Sequence, residues 1–294
     1  MSFFADPRGA AKRLRTLLEA DSVVQAPGCY DALSARVLAQ AGFECGFLGG
    51  FSVAAGRLGL PDVGLMSYGE MLDQARSVTA ATSLPIIGDG DTGYGNAMNA
   101  ERTFRGSAQA GLACVMIEDQ RWPKRCGHTA GKDIVERKEA LARIRACVRA
   151  REEHDVDMLI MARTDAVATD GFEEALFRAQ AFADEGADLT FLEAPENRQQ
   201  MERYCESVPG WKTANLVEDG KTPWLSPNTL AEIGYSLVIY PVSLLLHSMH
   251  AMRGTAESLR ATGTTGEERA RFDEARTLMG WPEYESRLQA LEGE

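Results

Sequence analysis

Eight short apolar segments, each followed by a helical pattern, are the feature that most restricts what this chain can fold into. They cover residues 23–26, 45–48, 84–88, 113–117, 158–162, 189–192, 211–214 and 237–240. Near-continuous apolar strands are typical of parallel sheets that are buried on both faces, and strands that alternate with helices indicate βαβ units. Eight such units within about 250 residues predict a closed α/β fold, the (β/α)8 or TIM barrel.

An open, doubly wound sheet is the alternative to the barrel. Such a sheet often carries a Gly-x-Gly-x-x-Gly turn between its first strand and the next helix. This chain has no such turn at that place, so we favour the barrel.

Helical patterns continue after the eighth strand, over residues 243–262, 266–279 and 283–291. A barrel needs only one helix after its last strand. We therefore expect a single barrel domain spanning residues 1–294, in which residues 243–294 form a C-terminal helical extension. We expect the additional helices to pack on a neighbouring subunit of a homo-oligomer.

Charge and cysteine usage exclude several classes of protein. The formal net charge of −12 argues against a nucleic-acid-binding surface, which needs a basic patch. No apolar run reaches the roughly 20 residues that a membrane helix needs, and the first residues lack the apolar stretch of a signal peptide. The six cysteines form no C-x-x-C pair and show no zinc-like spacing, so we expect reduced thiols in a cytoplasmic protein.

Polar residues follow the predicted strands at their carboxyl ends, where barrel enzymes place their catalytic groups. A single acid after a strand is often only a helix N-cap, and a single arginine is often only an ion-pair partner. Chance rarely places so many polar groups on one side of a barrel, so we interpret them as one site. In chain order they are Asp62, Asp89, Asp91, Glu118, Arg163, Glu193, Asn215 and Ser243, the last preceded by Pro241.

The acids that follow the third and fourth strands predict a metal site. Asp89 and Asp91 lie on a glycine-rich turn, and Glu118 follows the next strand. Carboxylate oxygens at strand ends suit Mg²⁺, which keeps several waters and takes only one or two carboxylates directly, and Mn²⁺ is a substitute. Near them, the Gly49-Gly50 step could bind a substrate carboxylate through backbone N–H groups.

A long polar loop of residues 120–136, which we name the lid, carries one cysteine at its centre. Loops of this length are usually functional or disordered. Cys126 stands among Lys124, Arg125 and His128, and a thiol beside basic side chains can have a lowered pKa and carry a proton. We interpret the loop as one that closes over the acids and brings Cys126 to them.

Six short motifs, in this order, resemble the isocitrate lyase/phosphoenolpyruvate mutase superfamily. They are D-G-D-T-G-Y-G-N (89–96), I-E-D-Q (117–120), K-R-C-G-H (124–128), A-R-T-D-A (162–166), F-L-E-A (191–194) and A-N-L-V-E-D-G-K-T-P (214–223). The resemblance covers the chain from Pro27 to the Tyr240-Pro241 step. The cysteine motif resembles the lyase branch, which includes isocitrate, 2-methylisocitrate and dimethylmalate lyases and the petal-death and oxaloacetate-hydrolase group.

The resemblance implies a Mg²⁺-dependent barrel, commonly a tetramer with swapped C-terminal helices, that acts on a small di- or tricarboxylate. Carried over residue by residue, the resemblance implies that Asp89 binds the metal, with Asp62, Asp91 and Glu118 in its water shell, and that Gly49 and Gly50 bind a substrate carboxylate. It implies a catalytic loop formed by Lys124, Cys126, Gly127 and His128. It also implies that Arg163 and Glu193 organise the substrate and the metal-bound water and that Asn215 contacts a second carboxylate. Phe47, Pro241 and Ser243 complete the expected substrate contacts.

The implied reaction is cleavage of a C–C bond in a 2-hydroxy dicarboxylic acid, of the alkylmalate or methylisocitrate type, to a 2-oxo acid and a carboxylate. Cys126 would act as the general acid. The sequence departs from methylisocitrate lyases at residues 217–220 and 243–247, where an Arg is replaced and aliphatic residues are added. These departures favour a smaller or more apolar dicarboxylate over a tricarboxylate.

Three other functions stay open at this point. Oxaloacetate hydrolysis or decarboxylation could use the same site. Phosphonate chemistry is disfavoured by the lyase-like cysteine motif, which the phosphonate mutases lack, with carboxyphosphonoenolpyruvate mutase as the main exception. A barrel that binds ligands without catalysis is disfavoured by the intact set of acids.

Overall fold

The computed structural model describes residues 6–127, 129 and 131–293, and the structural statements below concern these residues. His128, which we expect in the catalytic loop, lies outside the described residues.

Eight parallel strands form one sheet at the centre of the molecule. The strands are β1 (Val24–Pro27), β2 (Gly46–Leu48), β3 (Ile86–Asp89), β4 (Cys114–Glu118), β5 (Leu159–Thr164), β6 (Leu189–Leu192), β7 (Trp211–Asn215) and β8 (Leu237–Tyr240). Their order is β1-β8-β7-β6-β5-β4-β3-β2, and a parallel bridge between Gly28 and Phe47 joins β1 to β2. The ring is thereby closed, which confirms the (β/α)8 barrel and excludes the open sheet.

Helices surround the barrel and extend beyond it. They are α1 (Ala10–Leu18), α2 (Ala32–Gln40), α3 (Gly50–Val53), α4 (Tyr68–Ala81), α5 (Ala97–Gln109), α6 (Arg137–Glu153), α7 (Phe172–Asp184), α8 (Arg198–Ser207), α9 (Pro227–Ile233), α10 (Ser243–Thr262), α11 (Phe272–Leu278) and α12 (Trp281–Glu292). Side-chain caps mark where several begin: Ser67 accepts from the Glu70 N–H at α4, and Asn96 accepts from the Met98 N–H at α5. Such caps satisfy backbone donors that the helix itself leaves unpaired.

The first helix, α1, is absent from our sequence-based prediction. It covers the end of the barrel where the strands begin, since Leu14 and Leu18 pack in the same buried cluster as Val24 and Leu237. The spacing of Ala10, Leu14 and Leu18 is the i, i+4, i+8 pattern of an amphipathic helix, so the signal was present. The opposite end of the barrel stays open to the lid and to the polar residues.

The C-terminal helices are present, with bounds that differ from the expected ones. Helix α10 matches the expected 243–262, but the helix predicted over 266–279 is wrong over its first six residues. A capping interaction explains the later start, because the Glu274 carboxylate accepts from the Arg271 N–H directly before α11. Helix α12 begins at Trp281 rather than 283, since Pro282 fits in a first helical turn, where no N–H is needed.

No helix among the described residues combines the length and the apolar character that crossing a bilayer requires.

Candidate active site

One cavity of about 270 Å³ opens at the carboxyl ends of the strands, and the lid covers it. The expected site residues that line it are Phe47, Gly49, Gly50, Asp62, Asp89, Glu118, Lys124, Cys126, Gly127, Arg163, Glu193, Asn215 and Pro241. Two others lie beside it: Asp91 contacts Lys124, and Ser243 donates a hydrogen bond to the cavity residue Glu218. The structure therefore brings together residues that are up to about 190 positions apart in the chain.

Backbone N–H groups orient the Asp89 carboxylate at the end of β3. Gly50 N donates to Asp89 Oδ2 at 3.0 Å, and Asp91 N donates to Asp89 Oδ1 at 2.9 Å. A Cβ at Gly50 would lie 2.9 Å from Asp89 Oδ2, so a larger residue would push the carboxylate away. The Gly50 N–H thus orients Asp89 in this structure, and the expected contact of Gly50 with a substrate carboxylate stays a prediction.

The turn after β3 is tied to the end of β4. Gly90 N donates to Met116 O at 2.8 Å, and a Cβ at Gly90 would lie 2.7 Å from that oxygen. Asp91 follows with a φ of 48°, in the left-handed region that costs most residues free energy. The Glu118 N–H then donates to Asp91 O. These contacts hold the acids of the two strand ends at fixed positions.

Lys124 of the lid is buried among these acids, with 3% of its side chain exposed. Its Nζ lies 2.7 Å from Asp62 Oδ1 and 2.6 Å from Asp91 Oδ1. Burial alone would lower the pKa of Lys124, but the charges of Asp91, Asp89 and Asp62 outweigh it and hold that pKa well above its usual value. Lys124 therefore carries its positive charge in this position.

Glu118 is buried with unfilled hydrogen-bonding capacity. Its Oε2 lies 3.5 Å from Arg163 Nε, and its Oε1 has no hydrogen-bond partner among the described residues. Burial raises the pKa of Glu118 well above its usual value, and Arg163 and Lys124 oppose this shift. A buried acceptor without a partner usually indicates a water, an ion or a ligand that completes the site.

A chain of polar contacts runs across the ends of β5, β6 and β7. Arg163 donates to both oxygens of Asp165, at 2.9 and 3.0 Å, and its Nη2 lies 3.4 Å from Glu193 Oε2. Asn215 Nδ2 donates to Glu193 Oε2 at 3.2 Å. Burial would raise the pKa of Asp165, but Arg163 and Lys132 outweigh it and lower that pKa well below its usual range. Arg163 is thus held rigidly at the cavity wall.

The lid is folded over the cavity and pinned at its base. The Gln120 side chain donates to Arg125 O and accepts from Arg125 N, both at 2.9 Å, and Gln120 also pairs with Ile134 through an antiparallel bridge. Cys126 lines the cavity and is partly exposed. The carbonyl of Cys126 accepts from the N–H and the hydroxyl of Thr129. The loop therefore lies over the cavity, and its opening and closing stay a prediction.

The side of the cavity near β7 and β8 combines aliphatic side chains with one carboxylate. Val217, Val242 and Leu246 form part of this wall together with Glu218. The Glu218 Oε1 accepts from the Ser243 hydroxyl, and its Oε2 is buried without a partner among the described residues. Sequence reasoning placed Glu218 in a motif but did not assign it to the site.

Two further acids near the site, Asp119 and Asp165, hold other residues in place. Asp119 accepts from the Thr164 hydroxyl at 2.7 Å, from Asp165 N at 2.9 Å and from Arg178 at 3.1 Å. Asp119 therefore fixes the end of β5, and it is not among the residues that line the cavity. Asp165 holds Arg163, a role that no spacing in the sequence indicates.

The donor set fits a magnesium ion that keeps most of its waters. Among the described residues, no three His, Cys, Asp or Glu side chains are arranged to ligate one ion directly. Mg²⁺ does not need three such ligands, because it often takes one or two carboxylates and fills the other positions with water. Asp89 and the partnerless Oε1 of Glu118 provide hard oxygen donors of the required kind.

Comparisons with known proteins agree with this site. Residues 14–260 match the family model described as phosphoenolpyruvate phosphomutase. The chain is 40% identical to 2,3-dimethylmalate lyase of Eubacterium barkeri over 92% of this chain and 94% of that protein. It is 39% identical to the chloroplastic carboxyvinyl-carboxyphosphonate phosphorylmutase of Arabidopsis thaliana over 95% and 85% of the two chains. A solved structure of oxaloacetate acetylhydrolase with the inhibitor 3,3-difluorooxalacetate superposes with a TM-score of 0.92 at 33% identity, over 97% of both chains.

Proposed function

We propose that this chain cleaves a 2-hydroxy dicarboxylic acid with the help of Mg²⁺. The chain belongs to the isocitrate lyase/phosphoenolpyruvate mutase superfamily and is a carbon–carbon lyase within it. The match to the family model and the identity to 2,3-dimethylmalate lyase confirm the family that the motifs indicate. The observation that carries the proposal is that Cys126, Asp89 and Glu118 line one cavity.

The substrate would lie between the acids and the wall formed by Arg163 and Asn215. Arg163 is held by Asp165 with its guanidinium at the cavity, where it can attract a carboxylate of the substrate. The Asn215 side-chain amide lies at the same wall and can orient the second carboxylate of the substrate. Asp89 would hold the Mg²⁺, with Asp62, Asp91 and Glu118 in its water shell.

Bound Mg²⁺ would supply positive charge that lowers the pKa of the substrate 2-hydroxyl. Once a carboxylate of the site has accepted that proton, the bond between C2 and C3 would break, C2 would become the carbonyl of a 2-oxo acid, and C3 would carry the negative charge as a carboxylate enolate. Cys126 Sγ would then give its proton to C3 as general acid. The closed lid supports this step because it keeps water from the enolate.

The wall near β8 favours a small or alkyl-substituted diacid. Glu218 places a carboxylate there, and a third carboxylate of a substrate would meet its charge in a partly desolvated setting. Val217, Val242 and Leu246 offer apolar contact to a methyl or longer alkyl group. We therefore propose alkylmalates, such as 2,3-dimethylmalate, ahead of methylisocitrate.

Hydrolysis of oxaloacetate is the second candidate, and the close superposition on oxaloacetate acetylhydrolase favours it. Mutase chemistry on a phosphonate is the third, supported by the Arabidopsis relative. The cavity itself can serve each of these reactions, since each starts from a small oxygen-rich anion near a metal.

A substrate panel separates these functions. Chain stripped with EDTA and then reloaded with Mg²⁺ would be incubated with alkylmalates, methylisocitrate, isocitrate, oxaloacetate and phosphonopyruvate, and every product identified. We expect a 2-oxo acid and a carboxylate from an alkylmalate, only in the presence of the metal. Oxalate and acetate from oxaloacetate, without cleavage of any 2-hydroxy diacid, would support the second candidate instead.

A further inference from the structure

We propose that Lys132 is a latch that holds the lid closed and couples its closure to the position of Arg163. Lys132 belongs to the lid and lies outside the motif that contains Cys126. Only 2% of its side chain is exposed, although it comes from a surface loop. A lysine is rarely buried to this degree unless specific partners compensate its charge.

The ammonium of Lys132 bridges the lid and the barrel. It donates to Gly127 O, the carbonyl next to Cys126, and it lies 2.7 Å from Asp165 Oδ1 at the end of β5. Hydrogen bonds that involve an ionised donor or acceptor are shorter and stronger than neutral ones. One side chain therefore ties the peptide that carries the thiol to a carboxylate of the barrel.

The same carboxylate holds Arg163, so the latch reaches the cavity wall. Asp165 accepts two hydrogen bonds from Arg163, and its own N–H donates to Asp119 Oδ1 at 2.9 Å. Gly127 packs directly against the Arg163 guanidinium: a Cβ at Gly127 would lie only 2.3 Å from Arg163 Nη2. With the lid in this position, Gly127, Lys132, Asp165 and Arg163 thus form a closed ring of contacts.

A purely structural ion pair is the simpler explanation of the Lys132 contact. Asp165 is already paired with Arg163 through two hydrogen bonds and is anchored by Asp119. Asp165 thus has partners on the barrel besides Lys132, and the second contact of Lys132 is to the lid rather than to the barrel. With the lid open, Lys132 would return to water while Asp165 kept its other partners, which is what a reversible latch requires.

Hydrogen exchange on the full chain tests the latch without any substrate. The peptide over residues 121–135 contains the Arg125 and Thr129 amides, which donate to Gln120 Oε1 and Cys126 O within the lid, and we expect both hydrogen bonds to open more often once the lid is released. In Lys132→Met, we expect these amides to exchange about tenfold faster or more, because a charge-assisted hydrogen bond is lost. Amides of β4 and β5 should keep their protection, and Lys132→Arg should restore most of the protection of the lid.

The matched control is Lys138→Met, which makes the same change at an exposed lysine outside the lid. It should leave lid exchange within twofold of the parent chain. Unchanged lid exchange in Lys132→Met would overturn the proposal, and so would faster exchange in the lid and the strands alike, since that indicates a general loss of stability.

The kinetic consequence rests on the proposed function. On a diacid that the parent chain cleaves, Lys132→Met should lower kcat/KM about tenfold, and Lys132→Arg should recover it. If no 2-hydroxy diacid is cleaved by the parent, the proposed function fails but the exchange experiment still decides whether Lys132 holds the lid.

Discussion

Lys124 Nζ lies 2.6 Å from Asp91 Oδ1, although the lysine comes from the lid and the aspartate from the turn after β3. Closing the lid therefore adds a positive charge to the acids that we propose as the metal site. Because Lys124 also contacts Asp62, the lid, the segment between α3 and α4 and the turn after β3 meet at one ammonium group. Lys124 therefore links closure of the lid to the net charge of the proposed metal site.

Gly127 should not tolerate a side chain. A Cβ there would lie 2.3 Å from Arg163 Nη2 and 2.7 Å from Glu193 Cδ, so Gly127→Ala should keep the lid from closing while the barrel stays folded. We expect kcat/KM to fall at least about 100-fold, since displacing reacting groups by about 1 Å costs that much. Steady-state kinetics and thermal unfolding would measure the two effects.

Gly69→Ala is the control for that substitution, since a Cβ at this position in α4 meets nothing within 4 Å. It should leave activity unchanged and stabilise the helix by about 0.5–1 kcal/mol. A Gly127→Ala variant that is as active as Gly69→Ala would show that the tight packing of the lid against Arg163 is not required.

Asp119 should make the free energy of unfolding fall as the pH rises from about 4 to about 6. Burial, with help from the charge of Asp165, raises the pKa of this carboxyl from 3.8 to about 6. Within this window the folded chain keeps a proton that the unfolded chain has lost, so folding becomes less favourable with rising pH. A shift of about two pKa units corresponds to roughly 3 kcal/mol.

Urea unfolding of the parent and of Asp119→Asn across this pH range isolates the effect of this one group. The difference in the free energy of unfolding between them should change by about 3 kcal/mol, with the parent losing stability relative to the variant. Asp21→Asn, which makes the same substitution at an exposed site, serves as the control. A difference that moves in the opposite direction would mean that Asp119 ionises more easily in the folded chain.

The barrel was predictable from the sequence because its signals are local. Each buried strand is a short apolar run, and residues such as Gly42 and Gly111, with φ of 86° and 85°, end helices directly before the next strand. Strand ends of a parallel barrel meet at one edge, so the residues that follow them could be assigned to one site. Helix α1 was missed although its apolar spacing was visible.

The remaining part of the site depends on contacts between distant segments. Nothing near Lys132 in the sequence indicates that it reaches Asp165, 33 positions away. Likewise, the pairing of Ser243 with Glu218 depends on how α10 begins beside the loop after β7. The hydrogen bond from the Gly50 N–H to Asp89 likewise joins two distant segments of the chain.

Glu218 should limit the number of carboxylates on the substrate. Replacing it by Gln removes one negative charge from the cavity wall and keeps the shape of the side chain. We expect Glu218→Gln to raise kcat/KM for methylisocitrate relative to 2,3-dimethylmalate about tenfold, because repulsion of a third carboxylate is relieved. The exposed Glu196→Gln serves as control, and an unchanged ratio in Glu218→Gln would remove Glu218 from substrate selection.

The C-terminal helices should mediate assembly into a homo-oligomer. Phe272 is 79% exposed and Met252 is 61% exposed, and α12 adds further exposed apolar residues. Such patches on a chain usually mark an interaction surface. Analytical ultracentrifugation should give a tetramer, four times the chain mass of 32.0 kDa.

Met252→Asp should shift that assembly toward smaller species. Met98→Asp, which changes an equally exposed methionine on α5, should leave it unchanged. A monomeric parent chain at micromolar concentration would contradict the proposed assembly.

The central claim is that this cavity breaks a C–C bond with a metal at the acids and a thiol that completes the reaction. Cleavage of 2,3-dimethylmalate in D₂O, followed by NMR with and without Mg²⁺, tests it most directly. We predict a 2-oxo acid together with a carboxylate that carries one stereospecific deuterium at its α-carbon, only when Mg²⁺ is present, and a rate at least about 100-fold lower in Cys126→Ser. Release of no 2-oxo acid from this or any other 2-hydroxy diacid by the Mg²⁺-loaded chain would contradict the account.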